Sequence, residues 1–287
     1  NGTYVGSHAG HDQTTGQDFT AIGAFAGGGS GTKSTYLGTY AGDYDTTGKD
    51  YQVLLGALTG NDNWADYCTG VGYNSMSDGN HYRGTALGAF SAGRSSTSNA
   101  YYNTSIGYGA GDGNYSGDGI TTIGYLAEGT YSNTVALGYQ ATATGSYNVS
   151  MGYRSGYSGS NGSSYLTLIG SYSGYDMDGG DYCTYIGYQS GYAGGSASYN
   201  VGLGYRSAYN MQSGASNTFL GSHAGYTVNT GSENVFVGRN ADINHATGSN
   251  NICIGYNSES SSTSVSNQIT LGNSAITSLR CGVTTIS

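Results

Sequence analysis

The sequence predicts an all-β chain, folded as a parallel β-solenoid of about 17 coils. Three observations predict it. An aliphatic residue followed by Gly recurs 17 times, from Val5-Gly6 to Leu271-Gly272, about 17 residues apart. Each pair has Thr, Val or Ile three residues before its Gly and Ala, Ser or Thr three residues after it. The chain of 287 residues carries 53 Gly and no Pro.

Each element of the unit follows in order. The β-branched, any, aliphatic triplet has period two, which is a strand. Its two apolar residues share a face, expected to point inward, with the residue between them on the other face. The small residue three after Gly is a second, tighter inward position. Gly and Asn mark the corners, where a positive φ is needed. A unit this short cannot bury its own apolar side, so the copies must stack. Stacking accounts for the missing Pro, because every backbone N–H has to serve a neighbouring coil. At about 4.8 Å per coil the stack would be roughly 80 Å long. The repeat domain runs from 1 to 272, and 273–287 forms a neck.

Composition excludes several classes. This much Gly opposes helices. Charged residues are only 9%, and the net charge is −9, which excludes a nucleic-acid partner and docking on an anionic membrane. No apolar run is long enough to insert in a membrane. The chain starts at Asn1 without Met or a charged-then-apolar leader, so a fragment or processed product is expected. No nucleophile elbow or P-loop occurs, and neither an enzyme nor a cofactor is expected.

Residues Val135-Ala-Leu-Gly138-Tyr-Gln-Ala141-Thr-Ala-Thr-Gly145-Ser-Tyr-Asn148 resemble the head repeat of trimeric autotransporter adhesins. The 17-residue copies resemble a longer version found in phage tail fibres. That resemblance implies a left-handed β-roll with three chains side by side. Residues Asn267 to Ser287 are similar to the neck that precedes the endosialidase-type intramolecular chaperone of phage fibres and spikes. In that family the chaperone trimerises the fibre and cuts itself off, so a chain ending at Ser287 would be a matured product.

Candidate sites centre on the 30 tyrosines. Eight follow the repeat Gly, and Tyr108, Tyr125, Tyr139 and Tyr153 lie in consecutive coils, where they would form an aromatic ladder. Such a ladder serves either as a sugar-binding strip or as rings packed on one another or across a subunit interface. Tyr101, Tyr102, Tyr115, Tyr172, Tyr175, Tyr192 and Tyr226 sit in variable turns and are the candidates for glycan contact. Asp176, Asp178 and Asp181 around Gly179-Gly180 are a weak metal candidate, weighed against a solvated turn. The pairs Asp43/Asp45 and Asp62/Asp66 are equally weak. His8 and His223 share a register but lie 13 coils apart. Cys68 and Cys183 also share a register and are too far apart to bridge; free thiols are expected there, at Cys253 and at Cys281.

The expected function is that of a trimeric phage tail fibre, a structural and receptor-binding part of the virion that adheres to host-surface polysaccharide. A bacterial surface adhesin or a purely structural extracellular filament is the alternative. An ice-binding solenoid is third; it needs a flat Thr array facing water, and the Thr-rich column, which interchanges with Val and Ile, is expected to point inward.

Overall fold

A computed structural model describes the chain except for residues 12–17, 29–30, 44–49, 62–65, 78, 93–99, 114–116, 159–161 and 280–287. The described residues contain strands and turns and no helix. They form a parallel β-solenoid organised in two compact units, Asn1–Ser171 and Tyr172–Ser287.

The first unit stacks eleven short strands in parallel: Gly2–Val5, Phe19–Ile22, Thr35–Leu37, Val53–Leu55, Thr69–Val71, Thr85–Leu87, Thr104–Ile106, Thr121–Ile123, Val135–Leu137, Val149–Met151 and Thr167–Ile169. The second stacks six: Thr184–Ile186, Val201–Leu203, Thr218–Leu220, Val235–Val237, Ile252–Ile254 and Ile269–Leu271. Each strand is one repeat triplet, and the register pairs equivalent residues, as in Val201 with Thr218 and Leu203 with Leu220. Shorter parallel pairs, His81–Tyr82 with Ala100–Tyr101 and Glu128–Gly129 with Thr142–Ala143, add a second wall in the first unit. Backbone bonds between coils continue through the turns: the amides of Gly221 and His223 donate to the carbonyls of Leu203 and Tyr205, at 2.8 Å each. A Pro at such positions would delete a bond and orphan a carbonyl.

The strand faces are the reverse of the expectation. The middle residue of each triplet points inward, and the flanking β-branched and aliphatic residues point out. Ala21, Tyr36, Leu54, Ala86, Ala136, Leu168, Tyr185, Phe219, Phe236 and Cys253 are buried, whereas Val5, Ile22, Leu37, Ile123, Ile186, Leu220 and Ile254 are exposed. The coil is narrow, so each strand contributes one side chain to the interior. A large inward residue can fill the space left by a Gly in the neighbouring coil. A Cβ on Gly202 would lie 2.8 Å from the Tyr185 ring, and one on Gly70 would lie 3.0 Å from Leu54. The small residue three after Gly does point inward, as Ala26, Ala41, Ser75, Ser190 and Ala224 show.

The repeat Gly is fixed by the stacking. Gly221 has φ +138°, and a Cβ there would sit 2.4 Å from the carbonyl oxygen of Gly238 in the next coil. The corners differ from the expectation. Left-handed conformations at two after Gly and five before it are taken by Tyr, Phe, Arg and Gln as well as Asn, including Phe25, Tyr172, Arg206, Tyr182 and Tyr199.

Asn240, Asn250, Asn257 and Asn267 do stand at left-handed corners in the second unit, but a further Asn of successive coils builds a buried ladder. Asn200, Asn217, Asn234 and Asn251 are each buried. The Asn217 amide nitrogen donates to Asn200 Oδ1 at 3.0 Å and to the Gly214-equivalent carbonyl of the next coil, Gly231, at 2.9 Å. The same pattern repeats at Asn234 and Asn251. The ladder satisfies its own polar atoms, as burial requires.

Candidate tyrosine and arginine ladders

Stacking equivalent turn residues about one coil apart places aromatic rings at van der Waals contact. Four columns result. One after the repeat Gly, Tyr108, Tyr125, Tyr139 and Tyr153 stack in the first unit with centroids 5.5, 5.0 and 5.2 Å apart and interplanar angles of 11–13°. Tyr188 and Tyr205 do the same in the second unit, at 5.5 Å. Five after Gly, Tyr175, Tyr192, Tyr209 and Tyr226 form a continuous stack at 5.1, 5.0 and 4.9 Å. Two after Gly, His8, Phe25 and Tyr40 stack at 4.8 and 5.0 Å.

The fourth column, five before Gly, was not singled out in the sequence. It holds Tyr51 stacked on Tyr67 at 4.7 Å, Tyr147 on Tyr165 at 5.1 Å and, in the second unit, Tyr182 on Tyr199 at 5.0 Å. Arg83 lies between Tyr67 and Tyr102, 5.7 and 5.3 Å from their centroids, and Lys33 lies 5.0 Å from Tyr51. Aligning the copies on the repeat Gly and reading backwards would have found it.

The sequence candidates distribute among these columns. Tyr102 belongs to the fourth. Tyr101 stacks on Tyr82 at 5.0 Å. Tyr175, Tyr192 and Tyr226 share one stack, and Tyr172 leans on Tyr175, Tyr188 and Tyr192 at 5.5–6.4 Å. Tyr115 lies outside the described residues. In each stack the ring faces cover one another. Interior rings therefore present an edge and a hydroxyl to solvent, and not the flat face that a pyranose would pack against.

All five described Lys and Arg side chains lie over tyrosine rings: Lys33, Arg83, Arg154, Arg206 and Arg239. Arg206 Nε donates to Gln189 Oε1 at 2.7 Å, and Arg154 Nε to Gln140 Oε1 at 2.9 Å. Burial, together with the charges of Arg206 and Arg239, holds the His223 pKa below its ordinary value.

Two clefts accompany the columns. One, of about 420 Å³, is lined by Asp112, Glu128, Gln140 and Tyr157 among others. Burial raises the Glu128 carboxyl above the usual range, and the charge of Asp112 adds to this. The other is lined by Asp176, Asp178, Ser196 and Gln212. Asp181 does not line it; its backbone carbonyl accepts from the Cys183 thiol. Among the described residues no group of three His, Cys, Asp or Glu converges as a metal site. Asp66 accepts the Asp50 amide at 3.0 Å, a bond between coils. Asp45 and Asp62 lie outside the described residues.

Cys68, Cys183 and Cys253 are free and buried, and Cys281 lies outside the described residues. Cys253 points inward toward Asp242, 3.6 Å away, and burial beside that carboxylate pushes its thiol up to about 12. Asp242 and His245 form a buried pair, Oδ2 to Nδ1 at 3.2 Å. Ser260 donates to Asp242 Oδ1, and His245 Nε2 lies 2.9 Å from the Gly248 carbonyl.

No protein-family model matches the chain, and no curated protein sequence is similar to it. Among the described residues no helix is long and apolar enough to cross a membrane.

Proposed function

We propose that the chain is the structural and receptor-binding part of a phage tail fibre, three copies side by side, adhering to host-surface polysaccharide without enzymatic action. The observation that carries the assembly is the outward strand face. Its two columns hold only Thr, Val and Ile at one position and Val, Ile, Leu and Met at the other, with no charge in any of the 17 copies. Ile186, Leu220, Ile254 and Leu271 remain 38–46% exposed. Within each unit an uncharged apolar face of this kind marks an interaction surface, and burial against further copies would cover it. The resemblance of the repeat and neck to fibre proteins supports three copies and a virion location, with a bacterial surface adhesin as the alternative.

The tyrosine columns support adhesion. They present one phenol hydroxyl per coil, about 4.8 Å apart, a spacing close to the length of one pyranose in an extended glycan. Contacts repeated along three chains would add through avidity. Light scattering tests the assembly: a trimer is expected, and Leu220→Glu should dissociate it. A monomeric parent chain would overturn the trimer. A glycan array with no retained saccharide would overturn adhesion.

One observation favours a second reading. The Thr column, expected to point inward, faces outward and occupies eight of the eleven strands in the first unit. A flat, regular array of Thr hydroxyls and methyls is the kind of surface an ice-binding solenoid needs. A monomer that produces thermal hysteresis would establish that reading in place of the fibre.

A further inference from the structure

The second unit carries two arginines and a histidine on three successive coils at one edge. Arg206 and His223 each stand two residues after a repeat Gly, and Arg239 stands one after the next. Arg206 lies 5.2 Å from the Tyr205 ring and 5.5 Å from that of Tyr209. The His223 ring packs on Tyr205 and Tyr226 at 5.0 and 5.4 Å. Arg239 lies 5.6 Å from Tyr256. Among the described residues no carboxylate pairs with either arginine. In a chain of net charge −9, cations left unneutralised this close together oppose the prevailing charge.

The geometry around Arg206 is built. Gln189, one coil earlier, accepts from Nε, and the two tyrosines flank the guanidinium. This fixes the plane of the fork and leaves the two Nη nitrogens, which no described residue engages. A planar pair of N–H donors held in this way matches a carboxylate in two-point contact. The same constellation recurs in the first unit. There Arg154 is held by Gln140 and flanked by Tyr153 and Tyr157 at 5.4 and 5.0 Å. Its sequence form also recurs: Gly-Tyr-Gln in one coil, then Gly-Tyr-Arg-Ser-x-Tyr in the next, at 138–157 and 187–209.

We propose that Arg206, His223 and Arg239, with their flanking tyrosines, form a binding strip for an acidic saccharide, a glycan chain bearing carboxylates. The assignment rests on the adhesion reading and narrows it to a ligand class. The arginine forks hold the carboxylates, and the phenol edges of Tyr205, Tyr209 and Tyr226 exchange hydrogen bonds with sugar hydroxyls. Nucleic acid is the poorer fit, because phosphate binding gains from many clustered cations and the net charge opposes it.

The test is retention of the full chain on immobilised polygalacturonate, hyaluronate and polysialic acid, against neutral dextran and an oligothymidylate. The carboxylated polymers should retain it and dextran should not. Arg206→Gln and Arg239→Gln should each weaken retention roughly tenfold or more, the scale of a lost charged hydrogen bond. Arg83→Gln, which removes the same charge from a different column, should leave it unchanged. Thermal melts establish that each variant is folded; if Arg206→Gln is not, Arg239→Gln, whose side chain makes no hydrogen bond to any described residue, decides the matter. Equal weakening by Arg83→Gln, or tighter retention on oligothymidylate, would overturn the strip. Retention on neutral glycans alone would also overturn it while leaving adhesion standing. Failure on every glycan in a broad array would overturn adhesion itself.

Discussion

Replacing Asn234 with Ala removes one rung of the buried amide ladder, and the structure sets the size of the loss. Asn234 is fully buried. Its Nδ2 donates to Asn217 Oδ1 and to the Gly248 carbonyl, each at 3.0 Å. Its Oδ1 accepts the Asn251 backbone N–H at 3.0 Å and the Asn251 side-chain amide at 3.1 Å. Most of the partners keep a second contact. Gly248 retains His245 Nε2, the Asn251 side chain retains the Val265 carbonyl, and Asn217 Oδ1 retains the residue 234 backbone N–H. The Asn251 backbone N–H is the group left orphaned in the interior. That orphan costs about 2 kcal/mol, and the lost amide donations add about 1 kcal/mol, a total of about 3 kcal/mol. Asn234→Asp should cost more, since it places an acceptor with a charge against two other acceptors where burial forbids solvation. Urea unfolding followed by circular dichroism measures both, with Thr230→Ala as the exposed control, expected within about 0.5 kcal/mol of the parent. If Asn234→Ala lay within that same margin, the view that the ladder holds the coils in register through satisfied buried amides would be wrong.

Three further outcomes follow from the same geometry. Burial alone would raise the Asp242 pKa, but hydrogen bonds from His245 and Ser260 outweigh it and hold it below the ordinary value; burial would lower His245, yet its bonds to Asp242 and Gly248 raise it. Asp242 thus stabilises the fold above about pH 4, and this is lost as pH falls through its lowered pKa. His245 stabilises it below about pH 6.5, and this is lost as pH rises through its raised pKa; melting temperature should plateau between, and His245→Gln should remove the His-dependent part of the alkaline decline. Ser216 is exposed and holds a left-handed φ of 60° in the column where Asn133, Asn250 and Asn267 stand, so Ser216→Asn should raise stability by about 0.5 kcal/mol, because Asn tolerates that conformation at least cost; an unchanged or lower urea midpoint would contradict this. Glu128→Gln tests the absence of catalysis at the Asp112 and Glu128 cleft: the parent should release no reducing sugar from any glycan that binds, and release abolished by the substitution would show an enzyme.

Much of the fold was legible because a solenoid repeats its constraints. The 17 aliphatic–Gly pairs gave the strand positions, and Gly221 shows why that residue cannot vary: the next coil's carbonyl occupies the space of its Cβ. The stack of Tyr108 to Tyr153 was legible as well, since equal register in successive coils means proximity. The column of Tyr51, Tyr67 and Arg83 stands at a fixed five residues before Gly, but Asp, Lys, Asn, Ser and Glu share that position in other copies, which hides the aromatic run. Gln189 and Arg206 share a register in successive coils, so their proximity was legible too; the structure adds that Nε of the arginine donates to Oε1 of the glutamine, which fixes the guanidinium plane.

By itself the sequence determined the coil, its period and the alternation along each strand. It did not determine which side of the strand faces in. Period two fixes that Phe219 opposes Thr218 and Leu220, and it is silent on the sign. The tertiary structure decided it through space. A narrow coil admits one side chain per strand, and neighbours can compensate there, as Tyr185 does for Gly202, so the interior column tolerates variety. The outer columns are uniform in all 17 copies, although no interior packing requires it. That uniformity was the pattern taken for a core, and in the folded chain it lies on the surface.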